Sequence, residues 1–177
     1  MNDHDTDPPG TPGDPFDLLG LEPGFRVDAI ALRRAWLERS ARLHPDRPGA
    51  PADAAARLAA VNRAMKDLSN PESRAAALMR RWGEPPTNTS KALPPGFLAE
   101  MLEVREALEE AQQSGDRALV EAFEATAAAK RREYIESFGA LADRAAPAPS
   151  RDDLNAMREL LNAWRYIERM LEQIEPR

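Results

Sequence analysis

The chain has no cysteine among its 177 residues. That absence excludes a disulfide framework and any thiolate metal site, and with them the simplest zinc, iron–sulfur and redox readings. Histidine is almost as scarce, since His4 and His44 are the two present and cannot make a His-rich metal site. No apolar run reaches membrane-spanning length, and the N-terminus lacks the basic start and apolar core of a secretory signal. Residues 1–25 hold six acids and no Lys or Arg, the reverse of a mitochondrial transit peptide. A glycine-rich phosphate loop is missing too, so an enzyme would have little chemistry to work with. The expectation is a cytoplasmic protein that is not itself an enzyme, needs no cofactor and does not enter a membrane.

What is present is unevenly distributed. The net charge of -6 conceals a basic segment, residues 26–82, with 12 Lys and Arg against 6 acids, and an acidic one, residues 97–177, with 11 against 17. Two halves of opposite sign suggest two different partners. Nucleic acid fits neither half: the basic one has no interleaved aromatics, and its acidic flanks would repel phosphates.

Residues 1–13 are Asp-, Pro- and Gly-rich without apolar periodicity, and read as a disordered arm. Phe16, Leu18, Leu19 and Leu21 form a short helix ended by Gly20 and the Glu22-Pro23-Gly24 turn. Asp28 can cap a second helix, on which Ile30 or Ala29, Leu32, Trp36, Ser40 and Leu43 recur at three- and four-residue steps. Asp53 is placed to cap a third, with Leu58, Val61, Met65 and Leu68 as its facing stripe. Ser69-Asn70-Pro71 stops it and opens a fourth, carrying Ala75, Leu78, Met79 and Trp82. Residues 83–96 contain four prolines and read as a linker. Three longer helices follow, at about 97–113, 116–142 and 151–174, with Ser150 and Asp153 resembling a capping box. Their short connections favour an antiparallel three-helix bundle.

Between the second and third helices stand His44, Pro45 and Asp46. A residue before proline is pushed out of the helical region, so the second helix should end at His44 and display the imidazole and carboxylate on a stiff loop. With the flanking runs Asp14 to Leu21 and Val61 to Glu72, this stretch resembles a J domain. The resemblance implies a helical hairpin with two short flanking helices over residues 14–82. It also implies that the chain stimulates ATP hydrolysis by an Hsp70-type chaperone, through His44, Pro45 and Asp46. Arg33, Arg34, Arg42 and Arg47 would be the basic complement to an acidic chaperone surface.

The bundle has more apolar surface than one core needs. Phe97, Met101, Val104, Leu108 and Ala111 make a continuous stripe, yet Leu98 and Leu102 lie roughly 100–140° from it at about 100° per residue. On the last helix Met157, Leu161, Trp164, Ile167 and Leu171 form the core stripe, and Tyr166 falls roughly opposite. Small apolar clusters rimmed by polar groups mark interaction sites.

The run Phe97 to Leu108 is similar to the opening helix of the C-terminal domain in the HscB family, J-domain co-chaperones of iron–sulfur cluster assembly. That resemblance implies an all-α chain in which the bundle, residues 97–177, binds a cluster scaffold protein of the IscU type. Leu98, Ala99, Leu102, Glu103, Arg105, Glu106 and Tyr166 would supply the contact, and an HscA-like or general Hsp70 would be the chaperone. The alternative is a J-domain co-chaperone of a general Hsp70 whose bundle binds a different client. Three departures from the family pattern stand out: Ala99 replaces a larger residue on the binding face, Arg39 occupies a usual core-leucine position, and Leu37 and Glu38 dilute a face that is often basic.

Overall fold

The structure, a computed structural model, describes residues 13–44, 52–84 and 92–174, with side chains as far as Glu172. The proposed arm except Gly13, the turn residues Pro45, Asp46 and Arg47, and residues 85–91 lie outside the described residues. Among the described residues there are seven helices and no strand. They fall into two compact units that divide between Pro86 and Thr87.

The first unit holds α1 (Pro15–Leu19), α2 (Ala29–Arg42), α3 (Ala54–Ser69) and α4 (Pro71–Arg81). Asp14 caps α1, its carboxylate accepting 2.8 Å from the backbone N–H of Phe16, and Gly20 ends it in the left-handed region at φ 66°. Asp28 caps α2 in the same way, accepting from the N–H of Ala31 at 2.7 Å. Asn70 closes α3 and caps α4 through the N–H of Ser73. α2 and α3 pack together beside α1, and Phe16, Leu19, Leu32, Val61, Leu68 and the run Ala75–Met79 are buried between the helices.

Arg81, at the end of α4, reaches back to the start of α1. Its guanidinium lies 3.1 Å from Asp14 and 2.9 Å from Asp17. Burial works against its charge, but hydrogen bonds to Asp17 and Asp14 outweigh that and raise its pKa. Arg74 holds α4 differently: its guanidinium stacks over the Phe25 ring, 5.2 Å from the centroid, and donates to the carbonyl of Leu68.

Two sequence expectations fail in this unit. Ile30 is 80% exposed, outside the core, because it lies about 160° round α2 from Leu32, which faces inward. Asp53 stands at the N-cap of α3 but makes no capping hydrogen bond. Its backbone, at φ -98° and ψ 10°, lacks the extended geometry of a cap, and its carboxylate instead takes the Arg57 guanidinium one turn on, at 2.8 Å.

The second unit is α5 (Phe97–Ser114), α6 (Arg117–Ala145) and α7 (Arg151–Ile174). Gly115 ends α5 in the left-handed region at φ 70°, and Asp116 caps α6 through the N–H of Leu119. The expected capping box forms at α7: the N–H of Ser150 donates to Asp153 at 3.0 Å, and the N–H of Asp153 donates to the Ser150 hydroxyl at 3.1 Å. The core is Trp164, Phe97, Phe138, Met157, Leu161 and Ile167, all nearly inaccessible to water. Both ends of the proline-rich segment pack onto the unit they adjoin. Glu84 is buried in the first; in the second, Leu93 lies against the Phe97 cluster and the Ala92 carbonyl accepts from Asn162 on α7.

Candidate functional site

Two surfaces carry the residues singled out by sequence. On α5 the buried side is Phe97, Met101, Leu108 and Ala111, with Val104 half-buried. α6 is tied to one flank by the Lys130–Glu100 ion pair, whose hydrogen bond raises the pKa of the lysine. α7 lies against the other flank through Phe97 and Tyr166, whose rings meet edge-on with centroids 5.5 Å apart.

The outward arc of α5 is therefore free of both neighbours. Leu98 is 61% exposed and Leu102 56%. Ala99, Glu103, Arg105 and Glu106 are exposed with them. At about 100° per residue the order around the helix from the α7 side is Arg105, Leu98, Leu102, Glu106, Ala99 and Glu103. The two leucines thus sit beside a cation and ahead of two acids. Arg105 is held by Glu109 one turn on, at 3.1 Å.

Tyr166 is not opposite the core, as its helical position suggested. It is half-buried and packs against the Phe97 cluster. The cause is that its ring reaches across to the Phe97 ring at the start of α5. Its other side, with Arg105, Leu108, Glu109, Gln112, Arg169 and Met170, lines an open cleft between α5 and α7. The structure accordingly brings Tyr166 and Arg105 to one rim of the leucine pair and leaves Ala99 and Glu103 at the far one. Sequence reading missed Arg169 and Met170; their signal was a spacing of three and four from Tyr166.

The second surface is the end of α2. Leu43 caps the helix and His44 follows it, exposed. The hairpin behind His44 is held by Trp36, whose indole N–H donates 2.8 Å to the Asn62 side-chain oxygen on α3. Arg33, Arg34 and Arg42 are all exposed, but they do not form one patch. Arg34 and Arg42 line a hollow with Gly20, Glu38 and Arg39, whereas Arg33 lies on the other side of the helix. Arg39 takes its unexpected place by laying its guanidinium across Gly20, where a Cβ would meet Nη2 at 2.7 Å.

A family model described as the HSCB C-terminal oligomerisation domain matches residues 93–175. The co-chaperone protein HscB homolog of Bordetella avium is 34% identical over 170 residues, covering 91% of this chain and 95% of that protein. The Bordetella petrii homolog is 31% identical over 167 residues, with 91% and 94% covered. The chain belongs to the HscB co-chaperone family. The crystal structure of human co-chaperone protein HscB superposes with a TM-score of 0.74 at 25% identity, covering 96% of this chain and 82% of the human one. Chaperone HscB from Vibrio cholerae gives 0.71 at 24% identity, with 90% and 94% covered.

As in HscB structures, the first unit is a J domain and the second a helical bundle. In this HscB-family chain no group of His, Asp and Glu able to hold a metal ion occurs among the described residues. No helix among them is long and apolar enough to cross a membrane.

Proposed function

We propose that the chain is a co-chaperone with two binding ends. The bundle, residues 97–177, captures an iron–sulfur cluster scaffold protein of the IscU type. The J domain, residues 14–82, presents His44, Pro45 and Asp46 to an Hsp70-type chaperone, HscA-like or general, and stimulates its ATP hydrolysis. Residues 83–96 join the two, so that a bound scaffold is held at high effective concentration beside the chaperone.

The observation that carries the scaffold end is the exposed pair Leu98 and Leu102 on a helix whose opposite side is fully used by its own core. An aliphatic pair in water gains by burial, and the rim of Arg105, Glu103, Glu106 and Tyr166 gives the contact polar registration. Ala99, small and exposed, adds little area. At the chaperone end Asp46 is the group to engage a chaperone arginine, with Arg33, Arg34, Arg42 and Arg47 meeting acidic surface. The ATPase site belongs to the partner; this chain supplies no residue that touches ATP.

Titration against a cluster scaffold tests the first end. Binding that Leu102→Ala weakens and His44→Gln leaves unchanged supports the proposal, and no binding by the wild-type chain sinks it.

A further inference from the structure

The hollow between the end of α1 and one flank of α2 is lined by three arginines and one acid. Measured round α2 from the buried Leu32, Arg39, Arg42, Glu38 and Arg34 follow in that order over an arc from about 20° to 160°. Arg33 lies about 100° round in the other direction, outside the hollow. The remaining lining is apolar or small, with Leu19, Gly20 and Leu21 on the side of α1.

The protein itself neutralises none of the three guanidiniums. Glu38 stands one turn from Arg34 and one turn from Arg42, the spacing of helical ion pairs, yet it pairs with neither. Arg39 makes no ion pair or hydrogen bond among the described residues, although it is half-buried and its guanidinium lies against Gly20. Taking a cation part-way out of water costs free energy that a bound anion offsets. Three positive charges against one negative leave +2 at the hollow, and the arginine fork matches the oxygens of carboxylate or phosphate. A tetrahedral dianion balances that charge in one group, whereas a single carboxylate balances half of it. The volume, about 230 Å³, falls below the range of about 300–1,000 Å³ usual for drug-sized ligands and cofactors, so the anion is small.

We infer that this hollow binds inorganic phosphate, or the phosphate of a small monoester, through Arg34, Arg39 and Arg42. Arg39 is the arginine set deepest, held against the end of α1, and Arg34 and Arg42 meet the anion from the exposed side of α2. The inference concerns the first unit alone and does not rest on the co-chaperone reading. Where that reading holds, it gives Arg34 and Arg42 to the chaperone, and bound phosphate competes with the chaperone for them.

NMR of the full chain tests it, with sodium phosphate titrated at mildly alkaline pH and sodium chloride at matched ionic strength as the comparison. Phosphate shifts the Gly20 amide and the Arg39 Nε–H to a plateau, and chloride does not. Arg39→Leu weakens phosphate binding about tenfold, as expected for loss of a charge-assisted contact, and Arg39→Lys recovers part by keeping the charge without the fork. Glu38→Gln tightens binding by removing the one acid at the hollow, and because Glu38 is exposed this variant leaves the core untouched. Arg63→Gln, which removes an exposed arginine of α3 that does not line the hollow, leaves binding unchanged. A response without a plateau, equal weakening by Arg39→Leu and Arg63→Gln, or no tightening in Glu38→Gln overturns the inference, since general positive charge would then account for the shifts. AMP binding more tightly than inorganic phosphate overturns the assignment to a small anion.

Discussion

The ring of Tyr166 on α7 meets the ring of Phe97 on α5 edge-on, 5.5 Å between centroids and 87° between planes. Phe97 is 2% exposed and turns a second edge contact to Tyr134 on α6, at 5.9 Å. One phenylalanine thus joins all three helices of the bundle at the end from which Leu98 projects. Tyr166 serves two roles there, with one side in the core and the other lining the cleft beside Arg105. Substitutions at Tyr166 therefore separate packing from contact. Tyr166→Phe keeps the ring and leaves stability within about 0.5 kcal/mol, whereas Tyr166→Ala loses about 1–2 kcal/mol, less than a fully buried ring would. Urea denaturation of the full chain, followed by circular dichroism, measures both.

The Trp36–Asn62 hydrogen bond links the two helices of the J-domain hairpin. Asn62→Ala removes the acceptor and lowers stability of the first unit by about 1 kcal/mol. The change is read in tryptophan fluorescence as well as in the denaturation midpoint. A midpoint that does not move would mean that Trp36 finds water as readily as it finds Asn62.

Removal of Arg81 has a larger cost. It leaves Asp14, whose side chain is 4% exposed, and Asp17 without the shared guanidinium. Arg81→Met is expected to cost about 2 kcal/mol, since an acceptor left buried loses more than the net worth of the bond. Arg81→Lys recovers part of it, because a lysine cannot bridge two carboxylates with a planar fork.

The pH response of α7 follows from Asp153, which hydrogen bonds from the Ser150 hydroxyl and N–H hold below the ordinary carboxylate pKa. A carboxylate whose pKa is lower folded than unfolded adds stability above its unfolded value, and loses that contribution as pH falls through the folded one. The first turn of α7 should therefore loosen in acid, below the ordinary carboxylate range. In an NMR titration Ser150→Ala moves Asp153 up toward its ordinary value; an unchanged midpoint would contradict the capping geometry.

Much of this was legible before any coordinates. Asp28 caps α2 and Ser150 with Asp153 closes the box at α7, where short polar residues precede apolar periodicity, because the first turn of a helix needs acceptors for its free N–H groups. The leucine pair on α5 was legible for the same reason as the core stripe: helical spacing places Leu98 and Leu102 apart from Phe97 and Met101. What periodicity could not supply was the width of each contact. Tyr166 enters the core because its ring meets Phe97 on α5, and Ile30 leaves it because it lies about 160° round α2 from the buried Leu32. Asp53 shows a third limit, a capping residue type whose carboxylate found Arg57 first. Arg39 could be flagged from its type, but its resting place over Gly20 depends on how α1 ends.

The central claim is that one chain couples scaffold capture to an Hsp70 ATPase. Its most direct test is ATP turnover by the Hsp70-type partner with the scaffold and the chain present together. The account predicts that turnover with both exceeds the sum of their separate effects, that His44→Gln abolishes all stimulation by the chain, and that the double variant Leu98→Ala, Leu102→Ala abolishes the excess alone. Full synergy in the double variant, or turnover indifferent to His44→Gln, would contradict it.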